Sequence, residues 1–356
     1  MHYFCGMLDY LVVGLGLAGT SFCEQLEKNG KSYQVISDES QISSKVAGGL
    51  FNPVILKRFT LAWLAKEQLE IAIPFYTRIE ERLDVKLISK IPVLRRFASI
   101  EEQNLWFEAS DKPQLKPFLS LEIHQNKNPY IDAPFGYGEV FHTGRIDTEK
   151  LLSGYKAYLL QKDMLWQEHF DFSCFKVGGD SVTYKSIKAQ QIIFAEGFGL
   201  KQNPYFNYLP LVGTKGEYIT IKAPGLKEKN SIKSSIFCIP LGNDTYKIGA
   251  NYERKDKTND PTEKAKTEIL KKLDALITCD YKVIDHVAGV RPTVVDRRPL
   301  VGRHPEHENL YVLNGFGSRG FLIAPYVSEQ LFELVETQKS LPREVGISRF
   351  TKKWFK

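Results

Sequence analysis

The chain has 356 residues and a formal net charge of +6. Hydrophobic residues make up 43% and charged residues 25%, which excludes a disordered, fibrous or collagen-like chain. At about 100–200 residues per domain, the length predicts two domains or one large interleaved unit. No apolar run reaches the ~18 residues of a membrane helix, and the first residues lack the pattern of a secretory leader.

The cysteines are scattered and form no CxxC pair. They are Cys5, Cys23, Cys174, Cys238 and Cys279. This spacing predicts neither a metal site nor a disulfide framework, and it favours a location in the reducing cytoplasm. The positive charge fits either solvated surface lysines or an acidic partner such as nucleic acid. Because Met7 directly precedes the first predicted strand, Met1 and Met7 are both candidate starts.

The first predicted unit is a βαβ unit over residues 9–38. Asp9–Val13 is an apolar run typical of a buried parallel strand, Thr20–Lys28 has helical spacing, and Tyr33–Ser37 is a second strand. A G-x-G-x-x-G sequence joins the first strand to the helix. Asp38 closes the second strand about 20 residues further on. This context predicts a dinucleotide-binding site.

Each glycine of this motif is expected at its position for a physical reason. Gly14 permits a tight turn, Gly16 lets the backbone approach a pyrophosphate, and Gly19 lets the helix pack on the strand. The free amides at the helix start attract phosphates, and Asp38 is expected to accept hydrogen bonds from a ribose. The predicted cofactor contacts here also include Leu17, Ala18 and Glu39.

The sequence after Asp38 favours a bulky planar cofactor over a nicotinamide dinucleotide. Residues 43–50 are small and polar, so we expect a low loop that lets a ring lie close to the backbone. A nicotinamide enzyme normally continues with further βα units, whereas a long helix over Leu61–Leu83 and β-rich segments follow here. The predicted contacts in this loop are Ser43, Ser44, Gly48, Gly49 and Leu50.

The rest of the chain predicts two interleaved domains. Ile91–Phe141 is rich in proline and aromatic residues, which indicates strand and loop rather than helix. Helices are predicted over Thr148–Leu160 and Thr262–Ile277, and a hairpin over Phe170–Ser186. Further elements are strands at Gln190–Ala195, Leu211–Ile221, Ser235–Asn251 and Leu310–Leu313, and a helix from about Phe321 to Val335.

The predicted fold class is therefore α/β with α+β insertions. A Rossmann-like, cofactor-binding domain is expected from residues 1–90, 144–208 and 286–356. A β-rich substrate domain is expected from residues 91–143 and 209–285.

Four further glycine-containing motifs follow one another along the chain. They are Gly144–Asp147, Ala195-Glu196-Gly197, Gly289-Val290-Arg291-Pro292, and Gly315-Phe316-Gly317-Ser318-Arg319-Gly320-Phe321 with Ala324-Pro325. On these residues the chain resembles the D-amino acid oxidase / glycine oxidase family of FAD-dependent enzymes over nearly its whole length. The resemblance implies non-covalent FAD and the oxidation of an amine α to a carboxylate, by hydride transfer to the flavin. The cofactor contacts that complete the predicted site are Phe172, Ala195, Gly197, Arg291, Gly315, Gly317, Ser318, Arg319, Gly320 and Phe321.

The resemblance also assigns substrate-binding roles. Arg291 matches the arginine that clamps the substrate carboxylate, since a guanidinium offers a permanently charged bidentate fork. The alternative for Arg291 is a structural ion pair with Asp296. Glycine oxidases carry a second arginine where this chain has Ser318, and Arg319 follows one residue later. Arg291 and Arg319 are the predicted catalytic residues.

Other positions depart from the family pattern or stay open. Phe237 replaces a tyrosine that places its hydroxyl over the substrate, and Tyr246 or Tyr252 is a candidate to compensate. His142 is either a pocket residue or structural. Asn52-Pro53 and Lys57-Arg58-Phe59 form either a substrate entrance or a solvated basic turn.

The predicted substrate is a small amine or amino acid, including an N-substituted glycine. The loop Gly315–Gly320 also resembles the oxidoreductase half of the bifunctional enzyme that matures the tRNA wobble uridine. That resemblance implies an alternative, an oxidase acting on carboxymethylaminomethyl-uridine with tRNA as its partner. A third alternative is a flavin-binding protein without turnover. The sequence leaves the oligomeric state and the electron acceptor open, and it predicts no membrane partner.

Overall fold

The computed structural model describes residues 6–355, so Cys5 and the candidate start Met1 lie outside the described residues. The helices are α1 (Leu17–Lys28), α2 (Ser43–Val46), α3 (Ala65–Leu83), α4 (Ile100–Ser110), α5 (Thr148–Gln161), α6 (Glu263–Asp274), α7 (Gly320–Thr337) and α8 (Ser348–Trp354). The strands up to residue 150 are β1 (Leu8–Val13), β2 (Tyr33–Ile36), β3 (Leu50–Phe51), β4 (Val54–Ile55), β5 (Thr60–Leu61), β6 (Ile88–Ser89), β7 (Val93–Arg96), β8 (Leu119–His124), β9 (Tyr137–Val140) and β10 (Gly144–Ile146). The later strands are β11 (Leu165–Trp166), β12 (Phe175–Val177), β13 (Val182–Tyr184), β14 (Ile187–Phe194), β15 (Thr214–Lys222), β16 (Ser231–Lys233), β17 (Phe237–Gly242), β18 (Thr245–Gly249), β19 (Lys282–Arg291), β20 (Leu300–Arg303) and β21 (Leu310–Asn314).

The first sheet is assembled from distant parts of the chain. Its strands run in the order β11-β2-β1-β14-β13-β12, and β21 pairs with β14 on a separate branch that ends in β20. The pairs of β1 with β2, β1 with β14, and β14 with β21 are parallel. Leu11 and Val12 are completely buried, as expected for a parallel strand that is covered on both faces. The predicted βαβ unit at the start of the chain is confirmed.

Two cores cover the faces of this sheet. Helices α1, α3, α5 and α7 enclose one core, to which Phe22, Ile79, Leu151 and Val327 contribute buried side chains. The second core holds apolar residues of β12, β13 and β14 together with the segment that follows β14. The carboxyl ends of β1 and β14 are left facing the second sheet, where the functional site forms.

The second sheet is mostly antiparallel and runs in the order β19-β15-β18-β17-β16-β7-β9-β8. Ile219 and Ile248 point to one face, where they join Ile269 of α6 in a buried core. Because side chains alternate along a strand, Gly216 and Tyr218 of β15 lie on the opposite face. That face lines the cavity shared with the first sheet.

The structure corrects the prediction of strand and loop alone over Ile91–Phe141. Helix α4 lies within this stretch, and Ser99 caps it by accepting a hydrogen bond from the Glu102 amide at 3.3 Å. Ser-x-x-Glu is a capping-box sequence, and the surrounding prolines obscured it. The loop predicted over residues 43–50 likewise contains the single helical turn α2 before β3.

Two more boundaries differ from the sequence prediction. The hairpin predicted over Phe170–Ser186 begins with a 3₁₀ turn at Phe172–Cys174, and only β12 and β13 pair as strands. The proposed domain boundary at residue 286 falls inside β19, which pairs with β15 along its length. We propose that the substrate-domain segment extends to Arg291.

No helix within residues 6–355 has the length and apolar character needed to cross a membrane. The described cysteines are all free thiols: Cys23, Cys174, Cys238 and Cys279.

Candidate active site

A cavity of about 970 Å³ lies between the two sheets. Its wall is formed by the ends of β1, β14 and β21, the starts of α1 and α7, the segment from α2 to β4, and strands β15–β19. The structure therefore brings together motifs that are far apart in sequence. The predicted residues that line it are Gly14, Gly16, Leu17, Ala18, Asp38, Glu39, Ser43, Ser44, Gly48, Gly49, Leu50, Phe172, Ala195, Gly197, Arg291, Gly317, Ser318, Arg319, Gly320 and Phe321.

Two predicted cofactor residues, Gly19 and Gly315, stand behind this wall rather than in it. A Cβ on Gly19 would lie 1.9 Å from the Gly14 carbonyl oxygen, so Gly19 permits the close contact of α1 with the preceding turn. Gly315 has a φ of +84°, and a Cβ there would lie 2.6 Å from Val294. Both glycines shape the site through packing.

The start of α1 is suited to bind a pyrophosphate. No side chain caps it, and its first turn carries no acidic residue. The amides of its first turn and its dipole therefore present positive charge to the cavity. One of them, the Leu17 amide, donates a hydrogen bond to Ser44 Oγ at 3.1 Å. Gly16 lets the backbone lie close to Ser44, because a Cβ on Gly16 would lie only 3.1 Å from the same Oγ.

Asp38 and Glu39 form the acidic end of the dinucleotide groove. Asp38 Oδ1 accepts a hydrogen bond from the Ser40 amide at 3.0 Å, and Oδ2 lies 2.7 Å from His169 Nδ1. Although burial opposes ionisation, these hydrogen bonds hold the pKa of Asp38 below its ordinary value. Hydrogen bonds from Lys156 and Lys45 likewise lower the pKa of Glu39. Asp38 is thus a charged acceptor at the position expected for a ribose diol.

Glu196 is a carboxyl group whose role the sequence did not reveal. It follows β14 inside the Ala195-Glu196-Gly197 turn and lines the cavity. Burial raises the pKa of Glu196 to about 7, and the Asn203 amide partly offsets this by donating to Oε2 at 2.7 Å. A protonated Glu196 would supply a hydrogen-bond donor next to Asp38.

The flavin end of the predicted site is formed by backbone. Residues Gly48 and Gly49 lie against β17 and β10, and a Cβ on Gly49 would lie 2.1 Å from the Ile146 carbonyl oxygen. The start of α7 has no side-chain cap and no acid in its first turn. Asn314 fixes the preceding loop by donating to the Gly197 carbonyl at 2.9 Å. The site thus offers free amides and positive dipole at two helix starts, which fits the phosphates and the electron-rich ring edge of FAD.

Arg319 lies at the start of α7 but is engaged by the backbone. Its Nη1 donates to the Asn52 carbonyl at 2.6 Å, and its Nη2 donates to the Val54 carbonyl at 3.3 Å. Burial lowers the pKa of Arg319. The Arg319 side chain therefore links the start of α7 to the segment that contains β4, and it also lines the cavity.

Arg291 ends β19 and presents its guanidinium over Gly216 of β15. A Cβ on Gly216 would lie 1.9 Å from Arg291 Nη2, so only glycine leaves room there. The guanidinium stacks on the Tyr252 ring at 4.7 Å and lies 3.5 Å from the Asn251 carbonyl. Its alternative partner Asp296 instead accepts a hydrogen bond from Arg349 Nε at 2.8 Å. Among the described residues no carboxylate pairs with Arg291.

The structure separates the two tyrosine candidates. Tyr252 lines the cavity, is 69% exposed and stacks on Arg291. Tyr246 instead lies in the core beside α6, where its hydroxyl accepts a hydrogen bond from the Glu228 amide at 3.0 Å. Phe237 lines the cavity, as its match to the family tyrosine implied.

His142 and the basic turn also have separate outcomes. His142 packs against Phe118 at the surface, with ring centroids 5.8 Å apart, so its interpretation as a pocket residue is wrong. Asn52 and Lys57 line the cavity, whereas Phe59 is buried in the core beside α4.

Sequence reasoning missed Tyr218 and Lys247. The Tyr218 hydroxyl lies beside Gly48 and Arg291; burial raises its pKa, and Arg291 opposes that shift. Lys247 Nζ donates to the Val46 carbonyl at 3.0 Å, and burial lowers its pKa to about 8. Side chains alternate between the two faces of β15, so Tyr218 could have been placed on the same face as Gly216 from the sequence. No comparable sequence pattern identifies Lys247.

The chain is similar in sequence to named enzymes of two kinds. The chain is 23% identical to glycine oxidase of Bacillus licheniformis over 350 residues, or 92% of each chain. It is 27% identical to the bifunctional protein MnmC of tRNA 5-methylaminomethyl-2-thiouridine biosynthesis from Legionella pneumophila (strain Corby), over 205 residues. That match covers 47% of this chain and only 30% of MnmC.

A solved structure shows the same fold. The crystal structure of glycine oxidase from Geobacillus kaustophilus superposes with a TM-score of 0.79 at 17% identity, over 94% of this chain and 96% of the other. The family model described as "FAD dependent oxidoreductase" matches residues 9–334. The chain therefore belongs to this family of FAD-dependent oxidoreductases.

Proposed function

We propose that the enzyme oxidises an amine α to a carboxylate, in an amino acid or an N-substituted glycine. The observation that carries this proposal is Arg291, a guanidinium in the cavity wall that no described carboxylate neutralises. A buried or half-buried cation without an acid partner is costly, and a substrate carboxylate would complete it.

The chain's own residues would bind and orient the substrate. Arg291 holds the carboxylate through two parallel hydrogen bonds, and Gly216 keeps that space open. Tyr218 and Tyr252 flank the guanidinium and restrict the directions from which a carboxylate approaches. FAD, when bound, supplies the hydride acceptor, and the protein's task is to hold the substrate carbon against the ring.

The named relatives support the same substrate class. Glycine oxidase from Bacillus licheniformis is similar over nearly the whole chain, and its name specifies an amino acid. Phe237 removes the hydroxyl expected over the substrate, and its ring offers an apolar surface against which the added group of an N-substituted glycine would pack. The free thiols of the described cysteines fit the reducing cytoplasm that we propose as its location.

An anaerobic screen tests this proposal. The purified holoenzyme is mixed without oxygen with glycine, sarcosine, longer N-alkylglycines and D-amino acids, and the flavin absorbance is followed. We expect one of these compounds to bleach the flavin in the wild type. FAD binding without bleaching by any α-amino carboxylate would instead support the alternative of a flavin protein without turnover.

A second candidate function is oxidation of carboxymethylaminomethyl-uridine in tRNA. The similarity to MnmC and the cations Lys57 and Lys233 in the cavity wall, which pair with no described carboxylate, favour it. A tRNA partner predicts that binding weakens steeply with salt, because phosphate contacts release counterions. Anaerobic bleaching by the modified tRNA and by none of the small amines would select this function over the first.

A further inference from the structure

One part of the cavity wall carries a cluster of cations away from the clamp. Arg95 of β7, Lys233 of β16 and Lys272 of α6 all line it, and Phe237 lies among them. Phe237 pairs with Lys233 across β16 and β17. The cluster therefore belongs to the substrate end of the cavity, since the dinucleotide groove is formed by the first sheet.

Two of these cations already have protein partners. Arg95 pairs with Glu102 and donates to the Ser234 carbonyl at 2.9 Å. Lys272 pairs with Glu268, one helical turn away on α6. Their charges are largely balanced within the protein, so neither needs a ligand.

Lys233 differs from both. Its ammonium donates to the Ser235 carbonyl at 3.3 Å and lies 4.7 Å from the Phe237 ring centroid. In the part of the chain that the structure describes, no carboxylate lies within ion-pair distance of it. Burial, with Arg95 and Lys272 nearby, lowers its pKa to about 8. A half-buried ammonium without an acid is unfavourable unless a ligand supplies the anion.

The position of Lys233 sets the length of such a ligand. The sheet order places three strand spacings between β16 and β15, above which the Arg291 guanidinium lies. At about 4.8 Å per spacing, the two strands are ~14 Å apart, and the Lys233 and Arg291 side chains extend into this gap. Free glycine has a single carboxylate, so it cannot engage both cations at once. A ligand that uses both must be elongated.

We propose that Lys233 forms a distal anion-binding subsite, which takes a second anionic group, carboxylate or phosphate, at the far end of an elongated N-substituted glycine. This inference rests on the proposed function, because Arg291 must hold the first carboxylate. Lys233 then selects substrates by their second charge, and the Phe237 ring packs against the chain that joins the two groups.

The subsite is tested first by binding alone. Inorganic phosphate is titrated into the FAD-loaded enzyme by calorimetry, for the wild type, Lys233→Met, Lys188→Met and Arg291→Ala. Lys188 is an exposed residue of β14, so its variant matches the change in net charge. We expect about tenfold weaker phosphate binding in K233M, unchanged binding in K188M, and a Lys233-dependent site that persists in R291A. Equal affinity in K233M and wild type, or equal loss in K188M, overturns the subsite.

The second test compares matched substrates. Three glycines carry an N-linked chain of about eight carbons, which spans ~11 Å at ~1.3 Å per bond. The chain ends in a carboxylate, a phosphate or an uncharged amide. We expect a half-saturating concentration for flavin reduction about tenfold lower for one anionic probe than for the amide, with the advantage lost in K233M and kept in K188M. The carboxylate and phosphate arms identify which anion is preferred.

The two proposals fail in different ways. If no probe reduces the flavin, the proposed function fails, while the phosphate titration still decides whether the subsite exists. If all three probes reduce it with equal half-saturation, the proposed function stands and the distal subsite is wrong.

Discussion

The two ends of the cavity recognise their ligands by different means. At the dinucleotide end the wall consists of glycines, amides and helix starts, and the charged side chains Asp38, Glu39, Lys45 and Lys156 lie together at one edge. At the substrate end the wall consists of side chains from five strands of the second sheet, led by Arg291, Tyr218 and Phe237. The backbone end therefore suits a cofactor common to a family, whereas the side-chain end can change its specificity by single substitutions.

This contrast predicts opposite responses to mutation. A change at the dinucleotide end should alter FAD retention and stability, because the backbone itself must move. A change at the substrate end should alter substrate affinity and leave FAD in place.

The largest effect is expected for Gly19→Val. Its Cβ would lie 1.9 Å from the Gly14 carbonyl, so α1 must shift from the cofactor groove. We expect a loss of about 3 kcal/mol in stability and FAD binding at least ~100-fold weaker. Thermal unfolding and titration of the apoprotein with FAD measure both. Gly179→Ala is the control, since nothing lies within 4 Å of the added Cβ; wild-type FAD affinity in G19V would contradict the packing role.

Arg291→Ala should act at the other end alone. Removing a charged hydrogen-bonding partner of about 3 kcal/mol should raise the half-saturating concentration of a carboxylate substrate ~100-fold. FAD content and the unfolding temperature should stay near the wild type. Arg303→Ala, at a partly exposed arginine on β20, is the matched control. A fall in FAD content in R291A, with unchanged substrate affinity, would contradict the assignment of Arg291 to the substrate end.

Arg319→Ala tests a residue that lies between the two ends. Loss of its hydrogen bonds leaves the Asn52 and Val54 carbonyls without a donor, so we expect destabilisation of about 2 kcal/mol. The rise in half-saturating substrate should be smaller than in Arg291→Ala. Denaturant unfolding and anaerobic titration give both values. If Arg319→Ala matches Arg291→Ala in substrate affinity and keeps full stability, Arg319 is a second clamp instead.

Phe237→Tyr should modestly shift the substrate preference toward simple amino acids. The added hydroxyl faces the cavity and offers a hydrogen bond of about 1 kcal/mol, so half-saturation by a simple amino acid should fall about fivefold. Longer N-substituted glycines should lose affinity because the hydroxyl makes the apolar ring surface polar. Phe141→Tyr, at an exposed position, is the control. Equal responses of short and long substrates would remove Phe237 as a specificity residue.

The last prediction concerns pH at the dinucleotide end. Burial raises the pKa of Glu196 from 4.5 to about 7, so the folded apoprotein holds a proton that the unfolded chain releases. This contribution to stability is present below pH 4.5 and is lost as pH rises through about 7. Glu196→Gln should remove that part of the pH dependence, about 3 kcal/mol for a pKa that rises from 4.5 to about 7. The free energy of unfolding, measured from pH 4.5 to 8, shows this change, with Glu308→Gln as an exposed control. If the free energy of unfolding varies with pH in the same way in E196Q and wild type, Glu196 is not the group that causes the dependence.

The same contrast explains what could be predicted from sequence. The dinucleotide end depends on local spacing, so Gly14, Gly16 and Asp38 could be identified along one continuous βαβ unit. Arg291 was identified through a motif. Tyr218 and Lys233 depend on pairing between strands distant in sequence, and their own segments carry no local pattern. Arg319 was found by position, but its bonds to Asn52 and Val54 carbonyls depend on a packing contact that spacing does not reveal.

The errors have local causes as well. Helix α4 was missed because prolines dominate Ile91–Phe141, although Ser99 and Glu102 have capping-box spacing. His142 has a φ of +57° and does not line the cavity. A lone polar residue thus predicts little until the neighbouring strands are placed.

The most direct test is a structure of the FAD-loaded enzyme with a non-oxidisable carboxylate bound. If Arg291 is the substrate clamp, both carboxylate oxygens lie within about 3 Å of Arg291 nitrogens, above Gly216 and facing the flavin ring. A carboxylate bound elsewhere in the cavity, with Arg291 still stacked on Tyr252 and free of the ligand, would contradict the assignment of Arg291 as the substrate clamp.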